Sequence, residues 1–270
     1  MTISIAGPQD ASGQATLHAY EPFARLYDRF TAAYDHERWL SAVENLAREQ
    51  GLAGRRLLDV GCGSGKSFLP MLERGYDVTA CDISPAMVAQ AQRKVAGRAR
   101  VVVADMRELP PLGEFDLITC LDDAVNYLLD DGDLEAALAS MASLLAVGGV
   151  LVFDTNTLHT YRSVFSTVFA LEDDGAFFCG RGEAEPDCPP GSVCAATIEA
   201  FASERGPLWS RASSRHVQRH YPRHEVLAAL CAAGLECVSL KGQSPGVRVS
   251  DHPNESLHTK LIYVAKRREV

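Results

Sequence analysis

Residues 59–67 read DVGCGSGKS, and they close the apolar run RRLLDV. Three kinds of ligand compete for such a glycine-rich turn: a nucleoside triphosphate, a dinucleotide, or a molecule without phosphate. A P-loop needs G-x-x-x-x-G-K-[ST]. Gly65-Lys66-Ser67 supplies its ending, but Val60 stands where the first glycine belongs. A dinucleotide fingerprint needs G-x-G-x-x-G. Counted from Gly61 its third glycine falls on Lys66, and counted from Gly63 it falls on Phe68. Asp59 points to the third class. A carboxylate at the mouth of the strand repels phosphate and draws an ammonium group, directly or through water. Gly61, Gly63 and Gly65 let the ligand pass close to the main chain.

The flanking sequence supplies the frame for this turn. SFLPMLERG reads as a helix stopped by Gly75, YDVTACD as a strand, and SPAMVAQAQRKVAG as a helix capped by Ser84, with Pro85 in its first turn and Gly97 at its end. ARVVVAD, FDLITC and GGVLVFD add strands, with an alanine-rich helix over 133–145 between the last two. Buried strands alternating with helices predict a mostly parallel sheet covered on both faces. From 159 to 219 the helix period disappears; AFFCGRGE, SVCAATIEAFA and LWSRASSRHVQRHY read as antiparallel strands of an inserted β-rich subdomain. PRHEVLAALCAAG is then a helix, and LECVSLKG and TKLIYVAKR are two more strands of the main sheet. The expected organisation is N-terminal helices and a ligand-binding core over 1–158, the insertion over 159–219, and the rest of the core over 220–270.

Composition narrows the function. A chain of 270 residues, 47% hydrophobic and 23% charged, is long enough for a globular domain with a sizeable insertion. A net charge of −9 repels nucleic acid, and the only basic run, Lys266-Arg267-Arg268, reads as a solvated end. The first twenty residues lack a signal-peptide core, and no apolar run approaches the roughly 18 residues of a membrane span. A cytoplasmic protein that engages neither nucleic acid nor membrane is expected, with a homodimer as one possible assembly. The eight cysteines form no C-x-x-C pair, and Cys62, Cys81 and Cys120 lie in strand-like runs as buried thiols, so no metal is expected.

S-adenosylmethionine fits the turn. It carries an α-ammonium, a carboxylate that suits the helix N-terminus after Gly65, and a sulfonium. Asp82, closing VTACD, is placed for both ribose hydroxyls, and Ile83 and Met87 follow it beside the nucleoside. Asp105, closing VVVAD, would accept from the adenine amino group while the Met106 amide donates to the ring. Aspartates at strand ends also cap helices, but capping alone does not account for three of them together with the glycine turn.

LLDVGCGSG, VTACDISPAMV, VVVADMRELP, FDLITCLDDAVNYL and LLAVGGVLVFDTNT resemble the successive motifs of class I S-adenosylmethionine-dependent methyltransferases. That resemblance implies an α/β Rossmann-like sheet in the order 3-2-1-4-5-7-6 with its seventh strand antiparallel, and S-adenosyl-L-methionine as cofactor. PFARLYDRFTAAYDHERW, CLDDAVNYL and the insertion resemble the small-molecule branch that includes amino-sugar N,N-dimethyltransferases and glycine N-methyltransferase-like enzymes. It implies that Tyr27 reaches the cofactor and that Leu121, Asp122, Asn126 and Tyr127 line the methyl-transfer centre; the amino-sugar enzymes carry histidine where this chain has Tyr127.

Methyl transfer is an in-line displacement, so alignment and exclusion of water matter most, and a base is needed more by an alcohol than by an amine. Asp122 and Asp123 are candidates to hold or deprotonate an amine, with a helix cap as their structural alternative. His216 and His220 could serve a hydroxyl acceptor, although their alternation also suits one face of an exposed strand. Asp122, Asp154 and Asn156 could make an oxygen-rich Mg²⁺ site. Trp209, Phe177, Phe178 and Tyr161 could wall an acceptor pocket or form the insertion's core. The expected activity is methylation of a small molecule such as an amine of a sugar or other natural product. The alternatives are O-methylation of a hydroxylated compound and a S-adenosylmethionine-binding protein that methylates nothing.

Overall fold

The computed structural model describes residues 11–173, 175–203 and 208–268; residues 1–10, the first half of the N-terminal stretch read above, lie outside it. Three helices come first: α1 (Ala11–Tyr20), α2 (Ala24–Phe30) and α3 (His36–Glu49). The alternation follows as β1 (Arg56–Val60), α4 (Leu69–Glu73), β2 (Asp77–Asp82), α5 (Pro85–Val95), β3 (Arg100–Val103), β4 (Phe115–Cys120), α6 (Asp133–Leu144) and β5 (Leu145–Asn156). A short helix, α7 (Leu158–Ser163), leads into β6 (Val168–Asp173), β7 (Ala176–Gly182), β8 (Val193–Ser203) and β9 (Trp209–Arg219). The chain ends in α8 (Arg223–Ala232), β10 (Leu235–Ser244), β11 (Arg248–Ser250) and β12 (Lys260–Arg267).

The main sheet runs β3-β2-β1-β4-β5-β12-β10-β11, with β12 antiparallel to β5 and to β10. Seven strands therefore stand in the expected order. The eighth, β11, corrects the expected count: it is a three-residue edge strand after a Gly246–Val247 turn, too short to show an alternating pattern. Leu134, Leu138 and Met141 of α6 pack with Val226 and Leu230 of α8 on one face, while α3, α4 and α5 cover the other. Helix α3 shows why. Its buried Trp39, Leu40, Val43, Leu46 and Ala47 fall on one stripe. A 14-residue helix is marginal alone, and burying its larger apolar side chains, at about 1.5–3 kcal/mol each, secures it.

Antiparallel strands β6-β7-β8-β9 form a second sheet. Phe178, Ile198 and Ala200 on its inner face pack against Phe23, Leu26, Tyr27 and Phe30 around α2. Ser214, His216 and Gln218 of β9 are all buried, which corrects the exposed-strand reading of that alternation. The basic end is also tied down: Lys266 Nζ donates to the Gln50 carbonyl, and Arg267 to the Ala142 carbonyl at the end of α6. No helix among the described residues is long and apolar enough to cross a membrane.

Candidate active site

Strands β1 to β4 end at one edge of the main sheet, where a cleft opens. Gly61 and Gly63 line it, in the left-handed region at φ +71° and +51°. A Cβ on Gly61 would stand 2.9 Å from that of Ala124, so the absent side chain is what leaves the floor of the cleft open. Gly65 does not line the cleft. A Cβ there would meet Ala91 at 3.2 Å and Phe68 at 3.3 Å, so this glycine lets the turn pack against α5.

Asp59 is likewise displaced from its expected place. Its carboxylate accepts from Ser67 Oγ at 2.5 Å and Thr119 Oγ1 at 2.7 Å and is 1% exposed. Burial pushes its carboxyl up to about 7, against these two hydroxyls. The cleft meets Ser67, not Asp59, so any pull on an ammonium group passes through that hydroxyl.

Asp82 and Asp105 do reach the cleft, with Ile83 and Met106. Asp82 accepts from the Gly63 amide and the Ser84 amide, both at 2.8 Å. Each oxygen is thereby fixed while keeping a second lone pair, which is what two vicinal hydroxyl donors require. Burial raises its carboxyl above the usual range. Asp105 accepts from the Arg107 amide at 2.9 Å and from its guanidinium at 2.6 Å, and Arg107 continues to Asp133 at 3.2 Å. Met87 is a correction: it is fully buried in α5 and does not line the cleft; its amide donates to Ser84 Oγ at 3.2 Å, so its part is in capping.

After β4, Leu121, Asp122 and Tyr127 line the cleft. Asp122 and Asp123 both adopt φ +57°, an uncommon conformation for non-glycine residues that the surroundings must hold in place. Asp154 holds it, its two oxygens accepting from the Asp122 and Asp123 amides at 2.7 Å each. Lys260 Nζ binds Asp154 at 2.9 Å and Asp123 at 2.6 Å and lies 3.8 Å from Asp122. Asp123 also accepts from Gln218 at 2.6 Å and makes no side-chain cap. It is a structural ion-pair member outside the cleft lining, which corrects both its catalytic and its capping readings. Asp122 faces the cleft with 28% of its side chain exposed, and burial pushes its carboxyl up against the pull of Lys260. Of the groups proposed for Mg²⁺, the Asp154 oxygens are committed to Lys260 and the two amides, and Asn156 is held through its nitrogens, Nδ2 donating to Gln218 Oε1 and the main-chain amide to Asn126 Oδ1.

The cleft's roof was missed in the sequence. Ser12, Gly13, Thr16 and Tyr20 of α1 close over it beside Tyr27, whose ring lies 3.8 Å from the position of a Cβ on Gly63. Ser12 Oγ donates to Asp133 at 2.5 Å, and Glu21 accepts from Ser84 Oγ at 2.6 Å, anchoring α1 at both ends. Tyr20 OH donates to Tyr127 OH at 2.9 Å, and Tyr127 OH meets His216 Nδ1 at 2.7 Å. His220 is elsewhere, its Nδ1 on the Gly191 amide. The aromatic wall also dissolves: Phe178 and Tyr161 are fully buried in the insertion's packing, while Phe177 and Trp209 face solvent.

Known proteins resemble this chain in sequence and in fold. Residues 57–149 match the family model described as a methyltransferase domain. A putative methyltransferase of Bacillus subtilis (strain 168) is 28% identical over 221 residues, 80% of this chain and 86% of its own length. A solved S-adenosylmethionine-dependent methyltransferase of Clostridium acetobutylicum superposes with a TM-score of 0.78 at 25% identity, over 93% of this chain and 99% of that one. A sugar N-methyltransferase of a Streptoalloteichus species superposes at 0.70 and 26% identity, over 100% and 98%.

Proposed function

We propose that this chain is a class I S-adenosylmethionine-dependent methyltransferase, a reading its matched domain and its fold support, and that it methylates an amine of a small molecule. The observation that supports an amine is the carboxylate of Asp122 that faces the cleft. Lys66 is held by the Thr31 carbonyl at 2.9 Å, and Arg107 is bound by Asp105 and Asp133. Asp122 faces the cleft across a wider 3.8 Å gap from Lys260. A carboxylate in that position draws a cationic cofactor and an amine by charge; an alcohol would need it only as a base.

The residues present fit the cofactor: Asp82 offers paired acceptors, Gly61 an open floor, and Asp105 with Met106 an acceptor and an amide at the next strand end. When bound, S-adenosylmethionine supplies a methyl group on sulfonium sulfur, whose bond to carbon breaks with both electrons passing to sulfur. The chain's part is to orient the amine lone pair along that bond and keep water out. Tyr27, Leu121 and α1 enclose the reacting space, and Asp122 holds the amine. The insertion, over 159–219, backs the roof of this space where β9 binds Tyr127 and the Ala19 carbonyl, and in this reading it selects the acceptor.

The test is a calorimetric titration with S-adenosylmethionine, S-adenosylhomocysteine and NADH, followed by S-adenosylhomocysteine release with amines and with alcohols. Binding of the first two alone and turnover of amines are expected. Asp122→Asn should abolish the acidic limb of the rate profile, because protonating Asp122 removes its attraction for the amine. Turnover of alcohols alone, or an unaltered profile, would overturn this reading.

A further inference from the structure

Tyr20, Tyr127, His216 and Ser214 form a chain of side-chain hydrogen bonds whose every proton can be placed by counting donors. Ser214 Oγ lies 2.6 Å from the Ala19 carbonyl, which only accepts, so the single Ser214 proton points there. His216 Nε2, 2.9 Å from Ser214 Oγ, must then carry a hydrogen and donate. In a neutral imidazole Nδ1 is left with a lone pair, which takes the Tyr127 hydroxyl proton at 2.7 Å. Tyr127 has no proton left for Tyr20, so Tyr20 donates across 2.9 Å. Tyr20, which lines the cleft, therefore spends its proton on Tyr127 and keeps only oxygen lone pairs for any other partner.

We infer that Tyr20 is a fixed hydrogen-bond acceptor for the N–H of the amine, and that Tyr127 and His216 are positioning residues that set its polarity. The inference rests on the amine reading above. An amine attacks with its lone pair while keeping its N–H, and that N–H becomes a far stronger donor as nitrogen gains positive charge along the new N–C bond. An acceptor opposite it stabilises the transition state more than the ground state. A Tyr20 hydroxyl aimed the other way would donate to the lone pair that must attack. No proton moves along the chain, and the product leaves as an ammonium ion.

His216 must stay neutral, since an imidazolium would donate from Nδ1 and reverse every bond as far as Tyr20. Its surroundings favour this. Tyr20 and Phe23 from the N-terminal segment and Tyr127 from the turn after β4 pack around the ring, and Asp123, the one charge that bears on it, opposes the effect. Burial pushes the imidazole down to about 4.

The test combines ¹⁵N-histidine NMR of the full chain with kinetics on small primary and secondary amines, glycine and sarcosine among them. His216 is expected as the Nε2–H tautomer from pH 8 to pH 5.5. Tyr127→Phe frees the Tyr20 proton and should lower kcat roughly 10- to 100-fold, the worth of a hydrogen bond to a charged group, with S-adenosylmethionine affinity held. His216→Phe should fall as far, and His216→Asn, whose Oδ1 replaces Nδ1 as acceptor, should recover most of the loss. An Nδ1–H tautomer, or a His216→Asn enzyme as slow as His216→Phe, overturns the inference while amine turnover stands. Methylation of alcohols and of no amine overturns it together with the reading beneath it.

Discussion

The two halves of the cleft are built by different means. The half proposed for the cofactor is local: Gly61, Gly63, Asp82 and Asp105 sit at the ends of consecutive strands, and the hydrogen bond that joins Gly63 to Asp82 spans 19 residues. The acceptor half is assembled across the chain. Tyr20 and Tyr127 are 107 residues apart, Tyr127 and His216 are 89 apart, and Asp123 and Lys260 are 137 apart. A glycine turn and a strand-end acid will serve any acceptor on this scaffold, whereas the roof changes with the segments that cover it. Cofactor binding should therefore survive damage to the roof, and the roof should not survive loss of its long-range ties.

The largest expected effect breaks such a tie. Lys260→Met leaves Asp154, fully buried, and Asp123 without their cation. Removing one partner of a buried ion pair costs about 3–5 kcal/mol, and urea denaturation at pH 8 should show it. The loss should shrink at pH 5, because Asp154, already raised by burial to about 6 despite Lys260, takes up a proton more readily without that cation.

A second effect separates the halves by pH. His216 is held near 4 by burial, below the roughly 6.5 of an unfolded histidine. A depressed base favours the folded state above pH 6.5, and the advantage is lost as pH falls to 4. Over that window, on the order of 3 kcal/mol disappears. Comparing wild-type and His216→Asn denaturation at pH 7 and pH 4 isolates this term from His36 and His220, whose burial acts in the same direction. Equal pH dependence in both proteins would mean that His216 titrates normally.

In the cofactor half, Asp82→Ala orphans the Gly63 and Ser84 amides and removes the paired acceptors. S-adenosylmethionine affinity should fall by about 1.5–3 kcal/mol, the cost of an unpaired buried polar group, as calorimetry would report. An unchanged affinity would remove the ribose assignment and with it the contrast between the halves.

What the sequence made legible follows the same division. The alternating strands and helices and the acids closing β2 and β3 were readable because periodicity and turn chemistry are local signals, while the strand order came from the resemblance to the methyltransferase family. Asp59 was expected at the ligand, and its burial beneath Ser67 was not readable, since its partners Ser67 and Thr119 lie 8 and 60 residues away. Lys260 gave no signal at all: a lysine opening a strand looks like a solvated edge until the neighbouring strand brings Asp154 beside it. Tyr127 stood in a motif, and His216 in an alternation, but nothing in sequence pairs them. The bound Arg267 escaped for the same reason, its partner Ala142 lying 125 residues away, whereas three-residue β11 pairs locally with β10 and was simply too short to show a period.

The smallest effect tests what the roof excludes. Trp209 opens β9 with 56% of its surface exposed, and Phe177 faces outward at 39%, while the opposite face of the same sheet packs on Phe23 and Phe30. A large aromatic at a strand end reads in sequence as an acceptor wall, and the period of two places it on the wrong side. Trp209→Ser should change stability by no more than about 0.5 kcal/mol, as exposed substitutions do, and should leave KM for the amine unaltered. The same kinetics run on Phe178→Ala, fully buried on the inner face, should lose stability. If Trp209→Ser instead raised KM while leaving the fold intact, the acceptor would extend over the outer face of the second sheet. The cleft would then be only the methyl-transfer end of a longer site.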